Sequence, residues 1–136
     1  MEDLYSVTFN KIMQAPNYTI FVLGAKEKQF GIYTSPQTGD IVEKLLANKP
    51  FKRPQTHEFV ESVFKGLNIN PFQLVIHDVK DSIFFCKLFL SQTSENEETI
   101  LQIDVRPSDG LVIALGNNLP IFCTKTLLDE SPEYHE

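Results

Sequence analysis

The sequence is poor in several residues that would point to a particular class of protein. Its 136 residues include no tryptophan, two cysteines and two arginines, and 18 acidic residues stand against 12 basic ones. The resulting net charge of −6 has the wrong sign for a protein that holds nucleic acid mainly by releasing counterions. The cysteines, Cys86 and Cys123, have no CxxC spacing and lie in apolar strand-like runs, which predicts buried thiols in a reducing cytoplasm.

Long hydrophobic runs are also missing. The longest apolar stretch, 83–90, is interrupted by Lys87 and is far shorter than the roughly 20 residues that a membrane-spanning helix needs. The first three residues, Met1-Glu2-Asp3, provide neither the basic segment nor the apolar segment of a secretory signal. We therefore expect a cytoplasmic protein with no membrane association.

The remaining composition is that of a globular domain. Hydrophobic residues make up 42% of the chain and charged residues 22%, and a chain of this length predicts one domain. Much of the acid lies in the polar run 95–98 and in the last eight residues. We expect residues 131–136 to be a frayed acidic tail, while the body of the domain is nearly neutral.

Apolar residues alternate along the chain between period-two runs and helical stripes. Strands are predicted at 4–13, 18–23, 29–34, 72–79, 82–91, 99–105 and 119–123, and helices at 40–48, 56–67, 106–115 and 125–130. Ser35-Pro36 is predicted to stop the third strand, and 92–98 is predicted to be a long polar turn. Because strands are grouped between the helices, the class is α+β, with a mixed, mainly antiparallel sheet, three or four helices and a single domain over 3–130.

Common catalytic motifs are absent: the chain has no P-loop, GxGxxG, GxSxG, HExxH or zinc-type Cys/His cluster. Both arginines instead belong to similar blocks, in which an Arg-Pro pair is followed by polar residues that enter a helix. The blocks read Arg53-Pro54-Gln55-Thr56-His57-Glu58 and Asp104-Val105-Arg106-Pro107-Ser108-Asp109. Free N–H groups and the dipole at a helix N-terminus favour anions, so each block could hold a phosphate.

The same blocks also fit a purely structural role. Proline suits the first turn of a helix, and Thr56 and Ser108 would be N-caps. Each arginine would then pair with a nearby carboxylate and fix a helix to the sheet.

The two blocks, followed by Pro120-Ile121-Phe122, resemble the bifunctional nuclease domain in their order, spacing and residue identities. The resemblance covers about residues 3–130. Glu58 and Gly110 stand where that family more often has Asp and Ala. The resemblance implies nuclease activity on both RNA and DNA.

Chemistry then suggests the role of each residue. Arg53 and Arg106 would hold the scissile or a flanking phosphate. Lys49 and Lys52 beside Arg53 are either part of a solvated connector or a cluster that steers the phosphate. His57 lies off the apolar stripe of its helix and would be the general acid or base. The supporting residues, which would cap and orient, are Thr56, Glu58 and Ser108.

Asp104 and Asp109 carry two alternatives. As metal ligands they would hold a divalent cation, Mg²⁺ or Mn²⁺, that activates water. As partners of Arg106 they would be structural. We expect the structural pairing for Asp104, which lies two residues before Arg106 on the same strand face, and a functional role for Asp109.

Three functions stay open on the sequence alone. The first is a nuclease acting on RNA or DNA, and it needs Arg53, His57, Arg106 and a carboxylate within one concavity. The second is a non-enzymatic binding or regulatory module that recognises a phosphorylated ligand or a protein partner, which the net acidity favours. The third is a structural subunit. Open strands and apolar helix faces also predict a homodimer or a higher homo-oligomer.

Overall fold

The computed structural model describes residues 3–136, which form seven strands and four helices. In chain order the elements are β1 (Leu4–Gln14), β2 (Thr19–Ala25), β3 (Lys28–Thr34), α1 (Pro36–Leu46), α2 (Thr56–Gly66), β4 (Ile69–Lys80), β5 (Ile83–Ser94), β6 (Glu97–Val105), α3 (Pro107–Gly116), β7 (Ile121–Thr124) and α4 (Lys125–Glu130). The strands form one sheet in the order β3-β2-β1-β7-β4-β5-β6. Within the described residues β4 and β7 pair parallel and the other neighbours pair antiparallel. The predicted single-domain α+β class, with its mixed and mainly antiparallel sheet, is confirmed.

β1 joins the two halves of the sheet. Its first residues pair with β7 and its later residues pair with β2, with a shift of register between Phe9 and Lys11. Such a bulge bends a strand and increases its twist. The sheet curves so far that Phe30 of β3 stacks on Phe84 of β5, with ring centroids 5.8 Å apart. The curvature therefore brings β3 and β5 together, although they are distant in the strand order, and the core lies inside the curved sheet.

The helices α1, α3 and α2 lie side by side and cover part of the sheet. α1 packs against α3 and against β1 and β2, while α3 also contacts α2, β4 and β5. β2 is buried on both faces, because the curved sheet covers one and α1 covers the other. No helix that residues 3–136 form is long and apolar enough to cross a membrane.

Several element boundaries differ from the prediction, and two of the differences have a clear local cause. α1 begins at Pro36, not at residue 40, because the Ser35 side chain accepts a hydrogen bond from the Thr38 N–H (3.2 Å) and makes Ser35 the N-cap. Proline in the first helical turn keeps its fixed φ without losing a hydrogen bond. The connection between β5 and β6 is a two-residue turn, not a long one: Glu95 and Asn96 have positive φ angles of 51° and 69°, as a type I′ turn requires.

The C-terminal tail is bound to the sheet, so the predicted fraying is wrong. The N–H of Tyr134 donates to the carbonyl of Gln29 (2.8 Å), and the N–H of Gln29 donates to Glu133 Oε2 (2.9 Å). Ser131 is buried, and Glu136 pairs with Lys11. These contacts supply hydrogen-bond partners to β3, which would otherwise be an open edge.

Candidate functional site

A cavity of about 530 Å³ lies between the helices and the β5–β6 end of the sheet. Its polar lining comes from the first turns of α1, α2 and α3 and from the residues just before them: Thr38, Gln55, Thr56, His57, Arg106 and Asp109. Its apolar lining comes from later helical turns and from the strands: Ile41, Val60, Phe64, Leu88, Leu90, Ile103, Val105, Val112 and Ile113. The cavity thus has a polar end, where three helices begin, and an apolar remainder.

The start of α2 is fixed by reciprocal polar contacts. Gln55 is the N-cap, with extended backbone (φ −83°, ψ 166°), and its N–H donates to Glu58 Oε1 at 2.8 Å. A Glu three residues after the N-cap completes this arrangement, and the N-cap is therefore one residue earlier than the predicted Thr56. Thr56 is therefore not the N-cap. It is the first helical residue and lines the cavity together with His57.

His57 is half-buried and held by an aromatic contact. The Phe51 ring and its imidazole form a T-shaped contact with centroids 5.4 Å apart, and the Lys44 ammonium lies 5.4 Å from the centroid of Phe51. Within residues 3–136 no hydrogen-bond partner engages the imidazole nitrogens. The ring is therefore positioned by packing, and its nitrogens are available to hydrogen-bond to a ligand in the cavity.

Arg106 pairs with Asp109, not with Asp104 as expected. Its Nε donates to Asp109 Oδ2 at 2.8 Å and its Nη2 to Oδ1 at 3.3 Å, a two-pronged contact on the surface. The hydrogen bond, and then the charge of Asp109, raise the pKa of Arg106. The pairing follows from the helix start, since Arg106 is the N-cap of α3 and Asp109 lies one turn further along. Asp104 lies on β6 opposite Lys87.

The two Arg-Pro blocks meet at this cavity, but not through both arginines. The first block contributes Gln55, Thr56 and His57, and the second contributes Val105, Arg106 and Asp109. Four of the predicted site residues are absent from the described lining: Arg53, Glu58, Asp104 and Ser108.

All four have a defined place elsewhere: Glu58 completes the cap of α2, and Asp104 lies on β6 opposite Lys87. Arg53 is exposed in the connector before α2, where its carbonyl accepts from Gln55 Nε2 at 3.4 Å. Ser108 is the second residue of α3, and the N-cap is Arg106, so the predicted capping by Ser108 is wrong.

A metal centre has little support from the geometry. Within residues 3–136 no three or more His, Cys, Asp or Glu side chains are grouped so that they could hold a metal ion. Both carboxylate oxygens of Asp109 accept from Arg106, and Asp104 does not line the cavity. The metal-ligand roles of these aspartates stay predictions, and no chemical step below passes through a metal.

Thr38 and Gln55 are polar lining residues that the sequence did not identify as site residues. Thr38 had a detectable signal, because it follows the Ser35-Pro36 pair at the distance of a capped helix start. The apolar lining had none, since Val60 and Phe64 have the spacing of ordinary core residues.

Comparison with protein-family models matches residues 21–135 to a family described as the bifunctional nuclease domain. The match runs from β2 into the tail and includes every element that lines the cavity. Comparison with curated proteins gives no match. Since the family model covers most of the sequence and includes both Arg-Pro blocks, the chain belongs to the bifunctional nuclease domain family.

Proposed function

We propose that this domain is a nuclease that hydrolyses phosphodiester bonds in RNA or DNA at the polar end of the cavity. The observation that carries the proposal is the convergence there of the first turns of three helices with His57 and Arg106. The positive ends of helix dipoles and an arginine fork both favour a phosphate. Family membership supports a nuclease-related function.

The chemistry of each site residue suggests its role in the proposed hydrolysis. His57, whose nitrogens have no partner within the described chain, would take a proton from water or give one to the leaving oxygen. Arg106 would turn its guanidinium from Asp109 to the phosphate, and Thr56 would donate a hydrogen bond from its hydroxyl. Arg53 lies outside the cavity lining, so its proposed role is to attract the substrate backbone together with Lys49 and Lys52.

The apolar part of the cavity favours a particular kind of substrate. Phe64, Leu88 and Ile103 form a wall that a nucleobase could contact once it leaves its stack. Proteins commonly bind unstacked bases of single strands and loops on such surfaces. We therefore propose that single-stranded RNA or DNA is cleaved in preference to duplex.

The first prediction concerns His57. His57→Ala should lower the turnover of labelled single-stranded RNA or DNA by about 10²–10⁴-fold, because it removes the proton-transfer group, and the melting temperature should change little. His135→Ala, an exposed histidine in the tail, is the matched control and should keep full turnover. Equal specific activity of His57→Ala and wild type would exclude His57 from the reaction.

The same assay tests the predicted Mg²⁺ or Mn²⁺ cofactor. If Asp104 or Asp109 holds a cation, a chelator should abolish turnover and Mg²⁺ or Mn²⁺ should restore it, whereas Asp→Asn variants should not respond. Turnover that is unchanged by chelator would leave Asp109 as the partner of Arg106 alone.

A second candidate, the non-enzymatic binding module, is favoured by one observation. Asp109 already neutralises Arg106, and most of the cavity lining is apolar, which suits retention of a ligand better than release of a charged product. For this module, titration with mononucleotides should shift the amide resonances of Thr38 and His57 while no substrate is cleaved.

We also propose the setting in which the domain works. Its functional unit would be residues 3–130, with 131–136 as an acidic tail bound to β3. Two free, buried cysteines are consistent with a reducing cytoplasm. The sequence also predicts self-association.

A further inference from the structure

The sheet ends in a strand that the described chain leaves open. β6 is the last strand of the sheet, and eight of its nine residues are exposed. At the opposite edge, β3 receives hydrogen bonds from the tail. Lysine, proline and bulges commonly protect an edge strand from pairing, but Glu97–Val105 contains neither lysine nor proline and pairs with β5 without a bulge. β6 is therefore suited to pair with another strand.

The turn before β6 determines which backbone groups are unpaired. In a two-residue hairpin the closing pair, here Ser94 and Glu97, exchanges both of its hydrogen bonds. Since the bonding alternates along the strand, the N–H and C=O groups of even-numbered residues from Glu98 to Asp104 point away from β5. These groups form a regular row along the open edge.

Apolar side chains flank the same edge. Leu101 and Ile103 lie on the cavity side of β6 and are 42% and 41% exposed. One exposed stripe is formed at helical spacing by Phe59 and Val63 of α2 and by Leu67, its C-cap. Glu61 bonds to Asn117 just after α3, so the stripe lies on the other side of α2, which faces the open edge.

We propose that a second copy of this chain pairs its β6 with this β6, antiparallel, around a twofold axis at Gln102. In this register Glu98 of each copy lies opposite Arg106 of the other, and Leu101 lies opposite Ile103. Arg106 is within reach because its backbone is still extended (φ −65°, ψ 146°) and its side chain is 80% exposed. The alternative axis at Leu101 places Glu98 opposite Asp104, and facing like charges destabilise a strand pair. The Glu98–Arg106 pair therefore favours the axis at Gln102 over the axis at Leu101.

The pairing would also complete the candidate site. Ile103 and Val105 form the cavity wall nearest the open edge. Leu101 of the partner subunit, on the cavity side of the joined sheet, would extend that wall. The twofold axis keeps both α2 helices on one face of the joined sheet, so their apolar stripes meet over the seam. The dimer does not depend on the proposed reaction.

A charge-swap experiment tests the pairing. Sedimentation equilibrium of the wild type should give twice the 15.5 kDa mass of the chain. Glu98→Arg and Arg106→Glu should each raise the dimer dissociation constant by about tenfold or more, and the double variant should recover most of the affinity. Glu97→Arg changes the net charge equally on the neighbouring residue, whose side chain points to the other sheet face, and should dimerise like the wild type.

Amide hydrogen exchange supplies a second readout that does not depend on Arg106. The N–H of Gln102 should exchange slowly in the wild type and rapidly in Glu98→Arg. The N–H groups of Leu101 and Ile103, which bond to β5, should be slow in both proteins and so show that the fold is intact. A monomeric wild type, a dimer that neither single variant weakens, or rapid exchange at Gln102 would overturn the proposal.

Discussion

Cys86 is a residue whose acidity the fold changes strongly. It is fully buried on β5, and burial, with a smaller contribution from the charge of Asp104, raises the pKa of its thiol from 9.0 to about 12. Cys123 is affected in the same direction, because burial raises its pKa to about 11. Both thiols therefore stay protonated in the folded protein at pH values where they ionise in the unfolded chain.

This difference predicts how stability depends on pH. Between pH 9 and about 12 the unfolded state loses the Cys86 proton and the folded state keeps it, so the free energy of unfolding should fall as pH rises above about 9. Urea denaturation at pH 7, 9 and 10 measures the effect. Cys86→Ala should lower stability at every pH, because it leaves a cavity, but should lose less stability than the wild type between pH 9 and 10. Parallel pH profiles for the two proteins would contradict the prediction.

The candidate site could be predicted in part at the level of residues. An Arg-Pro pair forces extended backbone before the proline and permits a helix after it, so both blocks were placed correctly at helix starts. The partner of Arg106 could not be predicted in this way, because Asp104 is two residues away and Asp109 three, and proximity in sequence favours the wrong one. Only the geometry of the N-cap brings Asp109 to the guanidinium. Thr38 reaches the site because helices pack together, and a local sequence pattern does not predict that packing.

At the scale of elements, the helical glycines Gly39 and Gly66 differ in how much space surrounds them. A Cβ on Gly39 would lie 2.5 Å from Thr19 Oγ1 and 2.6 Å from Gln14 Nε2, because α1 approaches the sheet closely at that point. A Cβ on Gly66, near the end of α2, would meet no atom within 4 Å. Gly39 is therefore required by packing, and Gly66 is not.

Alanine at each position should accordingly have opposite effects. Gly39→Ala should lower the free energy of unfolding by about 1–3 kcal/mol, since the added methyl group overpacks a buried contact. Gly66→Ala should raise it by up to about 1 kcal/mol through helix propensity. Thermal and urea denaturation of the two variants provide matched measurements. A Gly39→Ala variant as stable as Gly66→Ala would show that α1 can move away from the sheet at little cost.

Element positions were predictable from local signals more often than element lengths. Asn48, Asn68 and Asn118 adopt positive φ just after α1, α2 and α3, and asparagine is one of the residues that favour such helix ends. The three helix ends, predicted at 48, 67 and 115, lie within two residues of those observed. The length of the β5–β6 hairpin was not, because Glu95 and Asn96 are common both in tight turns and in longer loops.

At the scale of the whole molecule, the order of strands in the sheet could not be predicted from the sequence. Period-two patterns place strands but do not say that β7 inserts between β1 and β4, or that β4 and β7 run parallel. The contact between Phe30 and Phe84 likewise depends on the curvature that the bulge in β1 introduces. These features follow from tertiary packing, since the strands concerned are separated in the chain by several other elements.

In residues 3–136 the tail covers one edge of the sheet, β3, and leaves the other, β6, open. Deletion of the tail tests whether it protects β3. Deleting residues 131–136 should remove the buried Ser131 and both hydrogen bonds to Gln29. At about 0.5–1.5 kcal/mol per hydrogen bond, the melting temperature should fall by several degrees. The open β3 should also promote concentration-dependent aggregation, which light scattering detects.

A shorter deletion separates edge protection from simple loss of the terminus. Removing only His135 and Glu136 eliminates the surface ion pair with Lys11, which contributes at most about 1 kcal/mol, and keeps Tyr134 on Gln29. This variant should melt close to the wild type and remain free of aggregation. If both deletions behave alike, the tail does not protect β3. If only the longer one aggregates while the β6-paired dimer persists, the chain covers one edge with its own tail and uses the other for association.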